Sequence, residues 1–270
     1  MNLKELLNKA IYTSLKGGEE IMKIYDSAFD VDYKSDNSPL TLADKNCNQI
    51  IEDYLSATDI PILSEEGRET PYVERKKWDY FWLVDPLDGT KEFVKRNGEF
   101  TVNIALIHNK TPVLGVVFVP VSNELYFALE GLGSFKINLS KITQESDLFD
   151  QDIDILISLS EQLPRITHRE IYTIVGSRSH MSLETEDFFT EKRKEHGLID
   201  VVSIGSSLKL CMVAEGRADT YPRYAPTMEW DTGAGHAIVK YAGFSVKEYN
   251  THNELIYNKE DLLNPWFLVE

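Results

Sequence analysis

Apolar residues recur at helical spacing over residues 3–25, where Leu3, Leu6, Leu7, Ala10, Ile11, Leu15, Met22 and Tyr25 fall on one stripe. This pattern predicts one long amphipathic helix, with Gly17-Gly18 weakening its middle. A second helix is expected from near Thr41, burying Ala43, Cys47, Ile50, Ile51, Tyr54 and Leu55, after a turn at Asp36-Asn37-Ser38-Pro39. The period then shortens. Ile60-Pro61-Ile62-Leu63 reads as a short strand ending in Ser64-Glu65-Glu66-Gly67, and Tyr80-Phe81-Trp82-Leu83-Val84 as a buried strand ending in Asp85-Pro86. Thr101 to Ile107 alternates through Val102, Ile104 and Leu106, and Val113 to Val119 and Glu124 to Leu129 follow at hairpin spacing. Strands joined by short turns imply a largely antiparallel sheet with the two N-terminal helices on one face.

The stretch from Leu139 to about Arg169 is polar and acidic, and a boundary is placed there, dividing an α+β half at residues 1–150 from an α/β half at residues 151–270. In the second half strands are expected at Ile171 to Val175, Val201 to Ile204 and Asp219 to Tyr221. They alternate with helices at Ser182 to Lys194, Ser207 to Glu215 and Thr232 to Tyr241, the last stopped by Gly243. No internal repeat or low-complexity segment interrupts this order.

Composition changes the picture in two ways. The 27% of charged residues fit a globular protein, and no apolar run approaches the roughly 20 residues that span a bilayer. An integral membrane segment is therefore not expected, and the amphipathic N-terminus lacks the apolar core of a secretory signal. Cys47 and Cys211 stand alone and far apart, which fits a reducing cytoplasm and no structural zinc site. Peripheral attachment to the inner membrane is left open. The net charge of −16 disfavours nucleic acid as a partner. It also obliges any phosphorylated substrate to approach an acidic protein, unless bound divalent cations invert the local field.

Candidate chemistry concentrates in Trp82-Leu83-Val84-Asp85-Pro86-Leu87-Asp88-Gly89-Thr90. A buried strand delivers two carboxylates at its end, Pro86 withholds an amide donor, and Asp88-Gly89 turns the chain sharply, leaving the Leu87 carbonyl free. Hard oxygen ligands converging in this way suit Mg²⁺. An isolated Asp-x-x-Asp-Gly is more often an ordinary acidic turn. Ser64-Glu65-Glu66-Gly67 alone reads as solvated acid, Asp231 in Glu229-Trp230-Asp231-Thr232-Gly233-Ala234-Gly235 as a helix N-cap, and Thr41 with Asp44 as a capping box. The small residues after Asp231 let that helix approach another element closely.

Together, in this order, the four segments resemble the inositol-monophosphatase-like superfamily over nearly the whole chain. The resemblance implies a layered αβαβα sandwich and a phosphatase that uses two or three Mg²⁺ ions. Glu65, Asp85 and the Leu87 carbonyl would hold one ion. Asp85, Asp88 and Asp231 would hold a second, and Glu65 would help place a third through water. Thr90 and Asp44 match the pair that orients and deprotonates the attacking water. A metal-activated water would then attack phosphorus in line, with no phosphoenzyme, and Li⁺ would inhibit.

Within the superfamily, DPLDGTKEFVKRNGEFTVNIA from Asp85, YPRYAPTMEWDTGAGHAI from Tyr221 and Leu263-Asn264-Pro265-Trp266-Phe267 resemble the bacterial CysQ-type 3′(2′),5′-bisphosphate nucleotidases. The implied substrate is adenosine 3′,5′-bisphosphate, cleaved to AMP and phosphate in sulfur assimilation. Two segments suit a second phosphate. Gly176-Ser177-Arg178-Ser179-His180 leaves a strand for a helix and offers hydroxyls, amides and a cation, although His180 reads equally as a loop residue. Gly205-Ser206-Ser207-Leu208-Lys209 puts a lysine in a helix's first turn, against the dipole, where it wants an anion. With Ser207, these residues join Glu65, Leu87, Asp88, Gly89, Thr90 and Asp231 as the expected substrate contacts. Solvated surface charge is the plain alternative for Arg178 and for Lys209. Inositol monophosphatase or a related sugar-phosphate phosphatase is the alternative activity. A haloacid-dehalogenase-type phosphatase places its nucleophilic aspartate two residues before the second, whereas here the spacing is three. A non-catalytic metal- or nucleotide-binding module has no use for the Thr90 and Asp44 pair.

Overall fold

Strand alternation splits the apolar residues of the central sheet into two sets, and each set recruits its own layer of helices. The computed structural model describes residues 1–26, 31–33, 39–141, 153–166, 168–176 and 182–270, with 31–33 and 39–41 as backbone only. In chain order the elements of the first part are α1 (Leu3–Tyr25), β1 (Val31–Tyr33), β2 (Pro39–Thr41), α2 (Leu42–Leu55), β3 (Ile62–Ser64), α3 (Tyr72–Arg75), β4 (Tyr80–Asp88) and α4 (Thr90–Val94). β5 (Thr101–His108), β6 (Thr111–Val119), β7 (Glu124–Leu129), β8 (Gly133–Asn138), α5 (Ile153–Leu159) and β9 (Glu161–Gln162) follow. The remainder holds β10 (Tyr172–Gly176), α6 (Leu183–His196), β11 (Ile199–Ser203), α7 (Leu208–Ala214), β12 (Tyr221–Arg223), α8 (Glu229–Tyr241), β13 (Val246–Glu248) and β14 (Phe267–Val269).

Strands β3 to β9 form one seven-stranded sheet in sequence order, antiparallel except for the parallel pair β3–β4. On one face Trp82, Val84, Val102, Ile104 and Leu106 pack with Leu7 and Ile11 of α1 and Cys47 and Ile51 of α2. On the other, Phe81, Leu83, Ala105 and Ile107 pack with Cys211 and Val213 of α7 and Ile238 of α8. Beyond α7 and α8 lie the three-stranded sheet β12–β14–β13 and the parallel pair β10–β11, and α6 contacts β11 and β12. This is the layered αβαβα arrangement. α5 contacts α1, and β9 pairs with β8, so residues 153–162 attach to the large sheet. No helix of the described residues is long and apolar enough to cross a membrane.

Both interlayer contacts depend on missing side chains. Gly17 and Gly18, expected to weaken α1, lie within an unbroken helix. A Cβ at Gly17 would sit 2.6 Å from Cys47 Sγ, and one at Gly18 would sit 2.4 Å from the Phe118 ring. Their low helix propensity is offset by close packing of α1 on α2 and the sheet. Across the sheet, a Cβ at Gly115 would lie 2.4 Å from the Ala234 carbonyl, and one at Gly233 would lie 2.7 Å from Leu83. The small residues that follow Asp231 therefore let α8 seat directly on β4, β5 and β6.

Candidate active site

The site begins with a break in strand pairing. β4 pairs with β5 so that Asp85 opposes Asn103 and Asp88 opposes Thr101, with a bulge between. Three steps on β4 thus match two on β5. In a regular strand, residues three apart point to opposite faces. The extra residue brings Asp85 and Asp88 to the same face, toward α8, and sends Leu87 into the core with α1 and α2. The bulge is tied down locally. Leu87 N donates to Asp85 Oδ1 at 3.1 Å, and Cys47 Sγ donates to the Pro86 carbonyl at 3.2 Å. Gly89 has φ +93°, the left-handed turn that lets α4 start at Thr90. Thr90 Oγ1 lies a long 3.5 Å from the Leu87 carbonyl.

Glu65 follows β3, whose parallel pairing with β4 brings it beside Asp85, and Glu65 N donates to the Val84 carbonyl at 3.2 Å. Asp231 comes from α8. It is not the N-cap the sequence suggests, because the helix starts two residues earlier, at Glu229. Asp231 instead reaches back from the first turn, its Oδ2 accepting from Met228 N at 2.9 Å. Buried Glu229 anchors that start, accepting from Asn258 N at 2.6 Å and from Lys259 Nζ at 2.6 Å. Asn264 Nδ2 adds a bond to the Met228 carbonyl at 2.7 Å.

Glu65, Asp85 and Asp231 each offer a carboxylate oxygen, all within 4.8 Å of one another. Such crowding is unfavourable without a cation. Burial, followed by repulsion from Glu65, Asp88 and Asp231, pushes the Asp85 carboxyl well above the usual range. Asp231 is pushed up to about 8, chiefly by burial and then by Asp88, with the Met228 N–H opposing. An all-oxygen donor set with excess negative charge fits Mg²⁺. Asp44 lies in the first turn of α2, is 2% exposed, and adds to the repulsion at Asp85.

Asp88 is held by groups from both halves of the chain. Its Oδ2 lies 2.8 Å from Ser207 Oγ and 3.3 Å from Asn103 Nδ2, and Asn103 Nδ2 also donates to Ser207 Oγ at 2.9 Å. Ser207 Oγ lies 2.8 Å from the Asp231 carbonyl as well. The described contacts of Ser207 thus lock Asp88 to α8. Asn103 carries no sequence signal, because one Asn in an alternating strand looks like an ordinary polar position.

A cleft of about 500 Å³ is lined by Glu65, Asp85, Leu87, Asp88, Thr90 and Asp231. A smaller one of about 170 Å³ adjoins it, sharing Asp88, Gly89, Lys91, Glu92, Thr227 and Asp231 and adding Lys209, Tyr221 and Arg223. Lys209 sits in the first turn of α7, and its Nζ donates to the Ser206 carbonyl at 2.7 Å. Burial lowers its pKa to about 8, with Asp88 opposing and Arg223 reinforcing. Arg223, which sequence reasoning missed, projects from β12. Its Nη2 donates to the Pro226 carbonyl at 2.9 Å, while its buried Nε has no hydrogen-bond partner. Neither cation forms an ion pair among the described residues. Ser177, Arg178, Ser179 and His180 lie outside the described residues.

Comparison with known proteins bears on this geometry. The model of the inositol monophosphatase family matches residues 2–265. A 3′(2′),5′-bisphosphate nucleotidase CysQ of Shigella flexneri is 43% identical over 269 residues, 98% of this chain and 99% of that protein. The CysQ crystal structure from Bacteroides thetaiotaomicron, described as a bacterial member of the inositol monophosphatase family, superposes with a TM-score of 0.90 at 49% identity. It covers 100% of this chain and 98% of that one. A Thermotoga maritima IMPase shares the fold at a TM-score of 0.73 and 24% identity, covering 98% of this chain and 92% of its own.

Proposed function

The chain belongs to the inositol monophosphatase family, and from that premise we propose that it is a Mg²⁺-dependent 3′(2′),5′-bisphosphate nucleotidase. The reaction converts adenosine 3′,5′-bisphosphate to AMP and phosphate. The observation that carries this reading is an acidic cleft that adjoins, across a wall including Asp88, Gly89 and Asp231, a smaller lobe bearing Lys209 and Arg223. A substrate with one phosphate needs only the first lobe, whereas one with two phosphates uses both. The names of the curated relatives support the same substrate class.

In this reading Glu65, Asp85, the Leu87 carbonyl, Asp88 and Asp231 would hold two Mg²⁺ ions, and Glu65 would help place a third. Bound Mg²⁺ supplies an attacking water of lowered pKa and neutralises the charge on the leaving ribose oxygen. Thr90 Oγ1 orients the water and passes its proton to Asp44, which lies too deep to meet bulk solvent. Asn103 and Ser207 position Asp88. Lys209 and Arg223 receive the second phosphate, together with Ser177, Arg178, Ser179 and His180. Residues 1–150 thus carry most of the metal ligands, and residues 151–270 carry Asp231 and the groups that select the substrate. Millimolar-scale Li⁺ is expected to inhibit.

The test is a substrate panel with the purified chain. Adenosine 3′,5′-bisphosphate should give AMP and phosphate with Mg²⁺ and nothing in EDTA. Comparable rates on inositol 1-phosphate would transfer the chain to the monophosphatase branch. EDTA-resistant hydrolysis or a trapped aspartyl-phosphate would reject the mechanism.

A further inference from the structure

A second concave site lies on the far side of β12 from the cationic lobe. Successive residues of a strand alternate faces. Tyr221 and Arg223 line the catalytic cleft, and Tyr224 turns the other way, into a groove of about 360 Å³ between α6 and the edge of the β12–β14–β13 sheet. Helix α6 brings Glu184, Asp187 and Glu191 to this groove, and the sheet side brings Glu248 and Glu270. Lys247 is the one cation in the lining, 3.7 Å from Glu270.

Acidic residues on a surface need no ligand, but Tyr224 is a different matter. It is 4% exposed, and its hydroxyl is buried with no hydrogen-bond partner. A buried hydroxyl left unpaired is costly, and native structures rarely tolerate one without a reason. Burial, Tyr249, Glu191 and Glu270 all push the phenol pKa upward, so Tyr224 stays neutral. The aromatic lining is continuous. Tyr224 lies 4.4 Å from Tyr249 and 6.0 Å from Phe188, centroid to centroid.

The arrangement discriminates between cations. A divalent metal needs carboxylate oxygens that converge on a point. Among the described residues only Glu65, Asp85 and Asp231 converge in that way, and no three of the groove acids do. Distributed carboxylates over an aromatic floor suit a long cation with separated charges and an apolar chain between them. We propose that this groove binds a linear aliphatic polyammonium ion. Its ammonium groups lie against the α6 and sheet-side carboxylates, its methylenes on Phe188 and Tyr249, and one N–H donates to Tyr224 Oη.

Calorimetric titration of the full chain with spermidine, in excess Mg²⁺ and at constant ionic strength, tests this. Excess Mg²⁺ occupies the catalytic acids, so binding measured there belongs elsewhere. One saturable site is expected. Glu191→Gln with Glu270→Gln should weaken it by roughly tenfold or more, as loss of charge-assisted contacts does. Tyr224→Phe should weaken it severalfold, and each variant's melting curve checks its fold. Glu69→Gln with Glu130→Gln removes two exposed acids elsewhere on the chain and should change nothing. Three outcomes overturn the proposal: no saturable binding, binding abolished by Mg²⁺, or equal losses in the groove and control variants. The last would reduce the effect to the general attraction of a −16 protein for cations.

Discussion

The acidic and cationic lobes of the cleft are built from the same kind of parts and strained in opposite directions. In each, burial disfavours the charged form. Asp85 and Asp231 are driven toward holding a proton, while Lys209 is driven toward losing one. The clustered acids call for a cation, whereas Lys209 and Arg223 lie near Asp88 and Asp231 without an ion pair among the described residues. The difference lies in the scaffold. The acids converge from a bulged strand, a parallel neighbour and a helix start, all braced by the large sheet. The cations stand on a short helix and a three-residue strand. Rigid convergence suits metal ions, which demand fixed geometry, and two less convergent cations suit a phosphate that is held but not cleaved.

The comparison is broken most severely at Asp85, the carboxylate most crowded by its neighbours. Asp85→Asn should lower kcat/KM on the order of a thousandfold, since a Lewis-acid cluster contributes several kcal/mol to the transition state. The fold should persist, as removing one buried repelling charge relieves the metal-free protein. Substantial turnover at saturating Mg²⁺ would remove Asp85 from the metal site.

Next come Lys209→Ala and Arg223→Ala. Each should cost roughly tenfold or more in kcat/KM on adenosine 3′,5′-bisphosphate, the loss of one charge-assisted contact. Each should cost far less on adenosine 3′-monophosphate. Equal losses on the two substrates would make both residues structural.

Acidity sharpens the contrast further. Between pH 6.5 and 8 an unfolded Asp231 is ionised, while the folded, metal-free one keeps its proton until about pH 8. The folded state then holds more protons, so its stability falls as pH rises, by at most about 2 kcal/mol per proton over this window. Melting in EDTA should show that fall, and Mg²⁺ should flatten it. His236 and Lys209, whose pKa values burial lowers, oppose this fall, because the unfolded state holds more of their protons, so the drop is smaller than Asp231 alone would give. An EDTA melt that rises through this window would overturn the assignment. The cationic lobe runs the other way. As Lys209 loses its proton above about pH 8, kcat/KM for the bisphosphate should fall while that for the monophosphate holds, and Lys209→Arg should extend the plateau upward. A shared alkaline fall that Lys209→Arg does not shift would detach Lys209 from the second phosphate.

The sequence was informative wherever a group's role is set by its near neighbours. Asp85, Asp88, Gly89 and Thr90 are contiguous, and the strand before them announces itself by burial. The long helix of residues 3–25 and the hairpin strands were legible for the same reason. What stayed hidden depends on distant partners. Arg223 faces the cleft because β12 pairs with β14, Tyr221 opposite Val269, and neither three-residue strand has a period to read. Asn103 matters because Ser207 arrives from the other half. Gly17 and Gly18 look like weak points until Cys47 and Phe118 are seen against them. Asp231 was singled out but placed at the cap, since the start of α8 is fixed by Asn258, Lys259 and Asn264 from far along the chain.

The bulge in β4 makes the distance between Asp85 and Asp88 a matter of odd and even. A replacement at Pro86 or Leu87 alters packing or turn shape but leaves the count alone. Deleting or inserting one residue there shifts the parity. Either Asp88 turns into the apolar layer under α1, or the strand beyond slips against β5 and carries its own side chains to the wrong face. This stretch should therefore tolerate changes of letter far better than changes of length, in contrast to an exposed acidic loop, where an added residue simply lengthens the loop.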